Sequence, residues 1–316
     1  MNSPSNSTGF VVRIKGSEYH VMDGATEVVC SVRGKFRIER EPGDGMPVVG
    51  DNVVYRREQA RDTRGPTGLI VSIEPRTSVF ARAGAHEKRK YRVLGANLDR
   101  VFLVHAVKNP RLNTRLMDRM LVAAESSSIE PVICINKIDL EKDHRSLEEA
   151  LRLYPEMGYR LVFCSAVDGT GVEELRELMT ASRSIMAGPS GAGKTSLLAA
   201  LEPGLDIRIS SVSEKTGKGR HTTTHFELHP LACGGYLGDT PGIREFGIKG
   251  ITKKDLGGCF REMRGFLGHC RFATCTHSHE PECAVKEAVG EGIISEERYE
   301  SYLRILEDLP VWGEGE

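Results

Sequence analysis

The chain has 316 residues, 39% hydrophobic and 28% charged, with a formal net charge of −1, a balance that excludes a disordered chain and leaves room for two or three domains. Its longest aliphatic run, near Leu197–Leu201, is far below the ~18 residues a membrane span needs. The opening MNSPSNSTG carries neither the basic nor the apolar region of a secretory signal, so a cytoplasmic protein with no membrane partner is expected.

Residues 1–8 are read as a disordered N-terminus. From residue 9 to about 73, GFVVRI, EYHVM, EVVCSVRGKFRI, GDNVVYRR and GLIVSI are short Val/Ile-rich runs broken by Gly and Asp, with no helical period. Five short strands in that length predict a small closed barrel over 9–75, of OB or SH3-like type, with OB preferred. A basic connector follows at 76–92; its HEKRK at 86–90 suits phosphate contacts or a solvated loop equally.

The rhythm then changes to alternating strand and helix. VFLVHAV at 101–107 reads as a buried strand, 112–124 as a helix, PVICI at 131–135 as a strand and 147–154 as a helix. LVFCSA at 161–166, VEELRELM at 172–179 and TSLLAAL at 195–201 continue the pattern, which predicts an α/β domain over 76–246 with a mainly parallel sheet. From about 247 the chain gains a cysteine cluster, a helix with Tyr299, Tyr302, Leu303 and Leu306 on one face, and an acidic end. Residues 1–100 hold 17 Lys/Arg against 12 Asp/Glu, whereas 280–316 hold 3 against 11. A polyanion is therefore expected on the front of the molecule rather than on its tail.

Five loops carry chemistry. GPSGAGKT at 188–195 fits G-x-x-x-x-G-K-[ST] between a strand and a helix. Gly188, Pro189, Ser190, Gly191, Ala192, Gly193 and Ser196 would line the phosphates, the glycines letting successive backbone N–H groups curl round them. Lys194 would charge-pair with the β- and γ-phosphates, and the Thr195 hydroxyl would ligate Mg²⁺. In NKID at 136–139, the Asp139 carboxylate can accept from N1–H and the 2-amino group of guanine, donors that adenine lacks. Asn136 would tie neighbouring loops and the Lys137 stem would cover the ring. Ser165 and Ala166, one strand–helix unit later, would offer a backbone N–H to guanine O6. Asp239 in DTPG would hold Mg²⁺ through water, and the Gly242 N–H would sense the γ-phosphate. In GKGRHTTTH at 217–225, one of Thr222, Thr223 and Thr224 would close onto Mg²⁺, with Thr223 favoured.

Ile243 stands where many GTPases place a water-orienting glutamine. Lys194 and Gly242 remain for catalysis; His221, His225 or a group supplied in trans would complete it. Cys270, Cys275, His277 and Cys283, spaced C-x4-C-x-H-x5-C, would make a closed tetrahedral Zn²⁺ site of structural type. His269, His279 and Cys259 are alternative ligands.

The base loop precedes the phosphate loop by 52 residues, the reverse of the usual order, yet the five loops form a rotation of that order rather than a shuffle. Joining close-lying termini and opening the chain elsewhere leaves the same packing. It also sets the Asp239–Gly247 segment against the start of the C-terminal region, a short lever from nucleotide to zinc domain.

The permuted order, GPSGAGKTS, GRHTTTH, DTPGIREFG and CTHSHEPECAVK together resemble the circularly permuted, ribosome-small-subunit-dependent GTPases of the RsgA (YjeQ) type, over nearly the whole chain. The resemblance implies an N-terminal OB-fold barrel, a central permuted P-loop GTPase domain and a mostly α zinc-binding domain over 247–316. It implies GTP and GDP as ligands, hydrolysis stimulated by the 30S subunit, and a role with 16S rRNA in late 30S maturation. It matches His221 to the family's switch histidine, Ile243 to its hydrophobic replacement of glutamine, and the zinc ligands to Cys270, Cys275, His277 and Cys283. A monomer is expected. Two rival classes stand beside this reading: a non-enzymatic RNA-binding assembly factor gated by nucleotide, and a nucleotide-regulated protein whose barrel takes a peptide.

Overall fold

Alternating burial builds the first unit. In the structure, a computed structural model describing residues 6–32, 45–58, 67–83, 91–204, 226–239, 248 and 251–309, five strands close into a barrel. They are β1 (Asn6–Lys15), β2 (Glu18–Asp23), β3 (Thr26–Val32), β4 (Asn52–Glu58) and β5 (Thr67–Ile73), in the order β1-β2-β3-β5-β4. All neighbours are antiparallel except β3 and β5, the Greek-key closure of the OB type. Val11, Val21, Val28, Val53, Tyr55 and Ile70 point inward and are buried, because side chains two apart share a face. β1 begins at Asn6, so residues 6–8, expected in a disordered end, are strand residues paired with Arg56, Tyr55 and Val54.

The basic connector is partly a hairpin, β6 (Val79–Ala83) with β7 (Tyr91–Ala96). Its strand character was hidden because a two-stranded ribbon takes its stability from neighbours, here the Val49–Gly95 bridge and the Phe80–Phe226 ring contact. HEKRK lies outside the described residues.

Next come β8 (Arg100–Ala106), α1 (Thr114–Ser126), β9 (Glu130–Asn136), α2 (His144–Leu151), α3 (Leu153–Glu156), β10 (Arg160–Phe163), α4 (Val172–Met179), β11 (Arg183–Ala187), α5 (Lys194–Leu201), β12 (Glu227–Pro230) and β13 (Tyr236–Asp239). The sheet order is β10-β9-β8-β11-β13-β12, parallel except for β12 against β13. β8 and β9 are buried almost end to end, as strands covered on both faces must be. Met117, Met120, Leu121 and Ala124 of α1 cover one face with Leu103, Ile133 and Ile185. Leu175 and Met179 of α4 and Leu197, Leu198 and Leu201 of α5 cover the other with Phe102, Val104 and Val162.

Two helix boundaries differ from expectation for local reasons. Asn113 Oδ1 accepts from Leu116 N at 3.1 Å, an N-cap that leaves Leu112 outside the helix. The helix read over 147–154 is two helices, because Pro155 has no N–H with which to continue the ladder.

The third unit packs 3₁₀ turns at Leu256–Cys259 and Arg261–Phe266 with α6 (Ala284–Gly290) and α7 (Glu296–Asp308). Leu256, Phe260, Met263, Val285, Ile294, Tyr302 and Ile305 form its core, and Val122 of α1 joins it.

Polar joints lock the barrel to the sheet. Arg76 forks onto Asp51 at 2.8 and 2.9 Å, and Asp51 is fully buried. Gly50 O accepts from Asn97 Nδ2 and Arg183 Nη1, both at 3.1 Å. Gly50 has φ +91, and a Cβ there would stand 1.9 Å from Ala96 O. Gly50→Ala is therefore expected to cost about 2 kcal/mol or more and to lower the thermal midpoint of the full chain. An unchanged midpoint would show that this joint yields.

Candidate functional site

The parallel strands deliver their loops to one edge of the sheet, beyond their carboxyl ends, where ligands of such folds bind. After β11 the chain turns through 188–193 into α5. Gly188 has φ +151 and Gly193 φ +89; a Cβ would meet Val104 O at 2.0 Å in the first and Asn136 Nδ2 at 2.4 Å in the second. Only glycine lets the loop lie so close to β8 and to the base loop. Lys194 Nζ folds back over it, donating to Gly188 O at 2.8 Å and Pro189 O at 2.9 Å. Thr195 and Ser196 are exposed at the start of α5, as is Ser190 in the loop, while Ala192 is buried.

The base loop follows β9. Asn136 is buried, and its Nδ2 donates to Ala192 O at 2.9 Å. The Cys164 thiol donates to Asn136 Oδ1 at 3.9 Å, and Ile138 N donates to Cys164 O at 3.3 Å. Ser165 Oγ donates to Asp139 Oδ1 at 2.6 Å and accepts from Val167 N at 3.2 Å. Lys137 takes a left-handed φ of 64 and donates from Nζ to Asn109 O. Asn136, Lys137, Asp139, Ser165, Ala166 and the 188–196 loop are thus brought together. Ser165 fixes Oδ1 of Asp139, and Oδ2 has no hydrogen bond among the described residues.

Sequence reasoning gave Ser165 only a backbone role and missed its hydroxyl. It also missed the Asn109–Pro110 loop after β8, which an Asn-Pro turn signal at the end of a buried strand could have flagged. His105 on β8 gave no signal at all. It is buried, its Nε2 has no hydrogen-bond partner among the described residues, and burial, with the Lys194 charge second, lowers its pKa to about 4.

Asp239 ends β13, beside the phosphate-loop strand. Thr222, Thr223, Thr224, His221, His225, Gly242 and Ile243 lie outside the described residues, as does the segment expected to act as a lever.

In the third unit Cys270, Cys275, His277 and Cys283 place their ligand atoms within 4.8 Å of one another. Cys270 Sγ and Cys283 Sγ are 3.8 Å apart, and each is 3.4 Å from His277 Nδ1. A tetrahedron with metal–sulfur and metal–nitrogen bonds of about 2.3 and 2.0 Å has edges of about 3.8 and 3.5 Å, so the donor set fits a tetrahedral cation. Burial pushes the Cys275 thiol up to about 12 and raises that of Cys283; a dication is what would hold such groups as thiolates. His269, His279 and Cys259 are not in the cluster. The ligand loop is pinned by Glu280, which accepts from Thr276 N at 2.7 Å and Ser278 N at 3.1 Å, and by Tyr299 Oη donating to His277 O at 2.7 Å.

A base loop locked to a phosphate loop that follows it in sequence, on this sheet order, defines a P-loop GTPase with circularly permuted elements. The RsgA GTPase family profile matches residues 73–249. Relatives named small ribosomal subunit biogenesis GTPase RsgA include one from Chlorobaculum parvum, 40% identical over 96% of this chain and 98% of its own, and one from Caldanaerobacter subterraneus, 39% identical over 95% of each. The crystal structure of YjeQ from Thermotoga maritima superposes with TM-score 0.76 at 36% identity, over 96% of this chain and 99% of the other. YloQ, described as a circularly permuted GTPase, gives 0.73 at 28%, over 96% and 95%. The chain belongs to the RsgA GTPase family, and it is a GTPase.

His105 makes stability depend on pH in a defined window. Its folded pKa near 4 lies below the ordinary 6.5, so between those values the unfolded chain binds the extra proton and stability falls as pH falls. The loss approaches about 3 kcal/mol by pH 4. His105→Gln is expected to flatten the nucleotide-free stability profile between pH 6.5 and 4, measured by denaturant unfolding. Parallel profiles for the two proteins would contradict the assignment.

Proposed function

We propose that this chain hydrolyses GTP under stimulation by the small (30S) ribosomal subunit and acts in late maturation of that particle by binding 16S rRNA. The observation that carries the reading is the lock between base and phosphate loops, Asn136 to Ala192 with Ser165 on Asp139. Relatives at 39–40% identity carry the small-subunit name. The proposed domains are the barrel over 9–75, the permuted GTPase over 76–246 and the C-terminal domain over 247–316. A cytoplasmic monomer is proposed.

In this reading Asp139 accepts from N1–H and the 2-amino group of guanine, and Ser165 holds the carboxylate in the base plane. The backbone N–H of Ala166 faces O6, since that of Ser165 donates to Thr170 O at 2.9 Å, and the Lys137 stem covers the ring. Gly188 to Ser196 bind the phosphates, with the Lys194 ammonium already held over the loop by two carbonyls. Mg²⁺, held by Thr195, Asp239 and Thr223, would neutralise charge on the β- and γ-phosphates. A water oxygen attacks the γ-phosphorus, the bond to the β–γ bridging oxygen breaks, and GDP and inorganic phosphate leave. Lys194 and the Gly242 N–H stabilise charge on the transferred group. Ile243 cannot orient the water, so His221, brought into place by the particle, is proposed to do so. Zn²⁺ at Cys270, Cys275, His277 and Cys283 is proposed as structural, since four protein ligands leave no open position.

Phosphate release from GTP and ATP, with and without purified 30S subunits, tests this. The expected result is turnover of GTP alone, slow in isolation and sharply faster with 30S, as activation in trans requires. Tight GTP binding without acceleration by 30S would overturn the proposal and leave a docking factor gated by nucleotide.

A further inference from the structure

Helix α1 has two neighbours that the chain order does not connect. Its leading loop touches the nucleotide site: a Cβ at Gly191 would stand 3.5 Å from Pro110 Cδ, and Asn109 O accepts from Lys137 Nζ. One turn past its cap, the same helix is gripped by the C-terminal unit. Asp118, buried at 3% exposure, accepts from Arg298 Nη1, from Ser301 Oγ at 2.5 Å and from Tyr154 Oη at 2.9 Å. Arg119 pairs with Asp308 beside it.

The grip is itself braced. Arg298 donates from Nε to Glu262 Oε1 at 2.7 Å and lies 4.7 Å from the centre of the Phe260 ring. Arg298 and Ser301 stand on α7, whose Tyr299 and Tyr302 donate to His277 O and Thr276 O at 2.7 and 2.6 Å. One helix therefore holds both the metal-ligand loop and α1.

A carboxylate this buried needs cationic and hydroxyl donors around it, and removing them leaves buried oxygens unsatisfied. Arg298 and Ser301 supply the cation and one of two hydroxyls, so the place of the first turn of α1 depends on the docked C-terminal unit. The Lys108–Asn113 loop follows that turn, because Asn113 is its cap.

We infer that Asp118 is a positioning residue of the nucleotide site, through which the C-terminal unit sets the Lys108–Asn113 loop against the phosphate and base loops. The inference rests on the reading that this site binds guanine nucleotide. It runs through α1 and needs no part of the Asp239–Gly247 segment.

The test compares three full-length proteins: the parent, Ser301→Ala, which removes a neutral donor without orphaning a charge, and Ile305→Val. Ile305 is in the same core but, being apolar, gives Asp118 no hydrogen bond, so its substitution reports general loosening. GDP affinity is measured by calorimetry, and amide hydrogen exchange is followed over residues 108–113. Ser301→Ala is expected to weaken GDP binding about threefold to tenfold, the scale of one buried hydrogen bond, and to speed exchange in that loop, while Ile305→Val changes neither. Parent-like affinity and protection in Ser301→Ala would overturn the inference, as would an Ile305→Val protein that matches it in both. A parent protein that binds no GDP would overturn the nucleotide-site reading first.

Discussion

The two loops after β9 and β11 depend on one hydrogen bond, from the Asn136 amide to the carbonyl of Ala192. It joins the loop after β9 to the loop after β11 and, in the proposed reading, fixes the distance between a base and its phosphates. Chain order does not enter that distance. β9 and β11 flank β8 in the sheet, so their loops meet whichever is made first. The penalty of reversal falls on folding entropy, through the lengths of the connecting loops, and that term grows only slowly with length. Gly193 completes the arrangement, since any side chain there would displace the Asn136 amide.

The same loops show why glycine and buried polar groups concentrate at this edge. Asn136 and Ser165 are buried with their hydrogen bonds made inside the protein, which avoids the cost of an unsatisfied group. His105 is the exception: its ring is held neutral by burial beside Lys194. Buried ionic joints do a different job. Arg76 ties the connector after β5 to Asp51 of the barrel, and Asp118 with Arg298 docks the C-terminal unit on α1. Such pairs add little net stability against an apolar alternative, but each is costly to break, so they fix relative placement more than they raise overall stability.

Much of this was legible in the sequence because it lay in local pattern. Alternation gave the barrel strands, continuous apolar runs gave β8 and β9, and the spacing of GPSGAGKT and NKID placed both loops at strand ends. The Cys and His spacing marked the cluster whose atoms the fold brings together. What was hidden depends on contacts distant in sequence. Ser165 reaches Asp139 across 26 positions, and Arg298 reaches Asp118 across 180. The β6–β7 ribbon takes its order from the barrel, and residues 6–8 from pairing with β4. No periodicity records such partners.

In the proposed reading the Asp139 carboxylate and the phosphate loop form one guanine-specific site in spite of their order. Calorimetric titration of the parent and of Asp139→Asn with GDP, ADP and xanthosine diphosphate tests it most directly. The parent should bind GDP about 10⁴-fold or more tightly than ADP. The substitution should transfer preference to xanthosine diphosphate, whose C2 carbonyl can accept from the new amide. Equal affinity of the parent for GDP and ADP, or an undiminished GDP preference in Asp139→Asn, would contradict it.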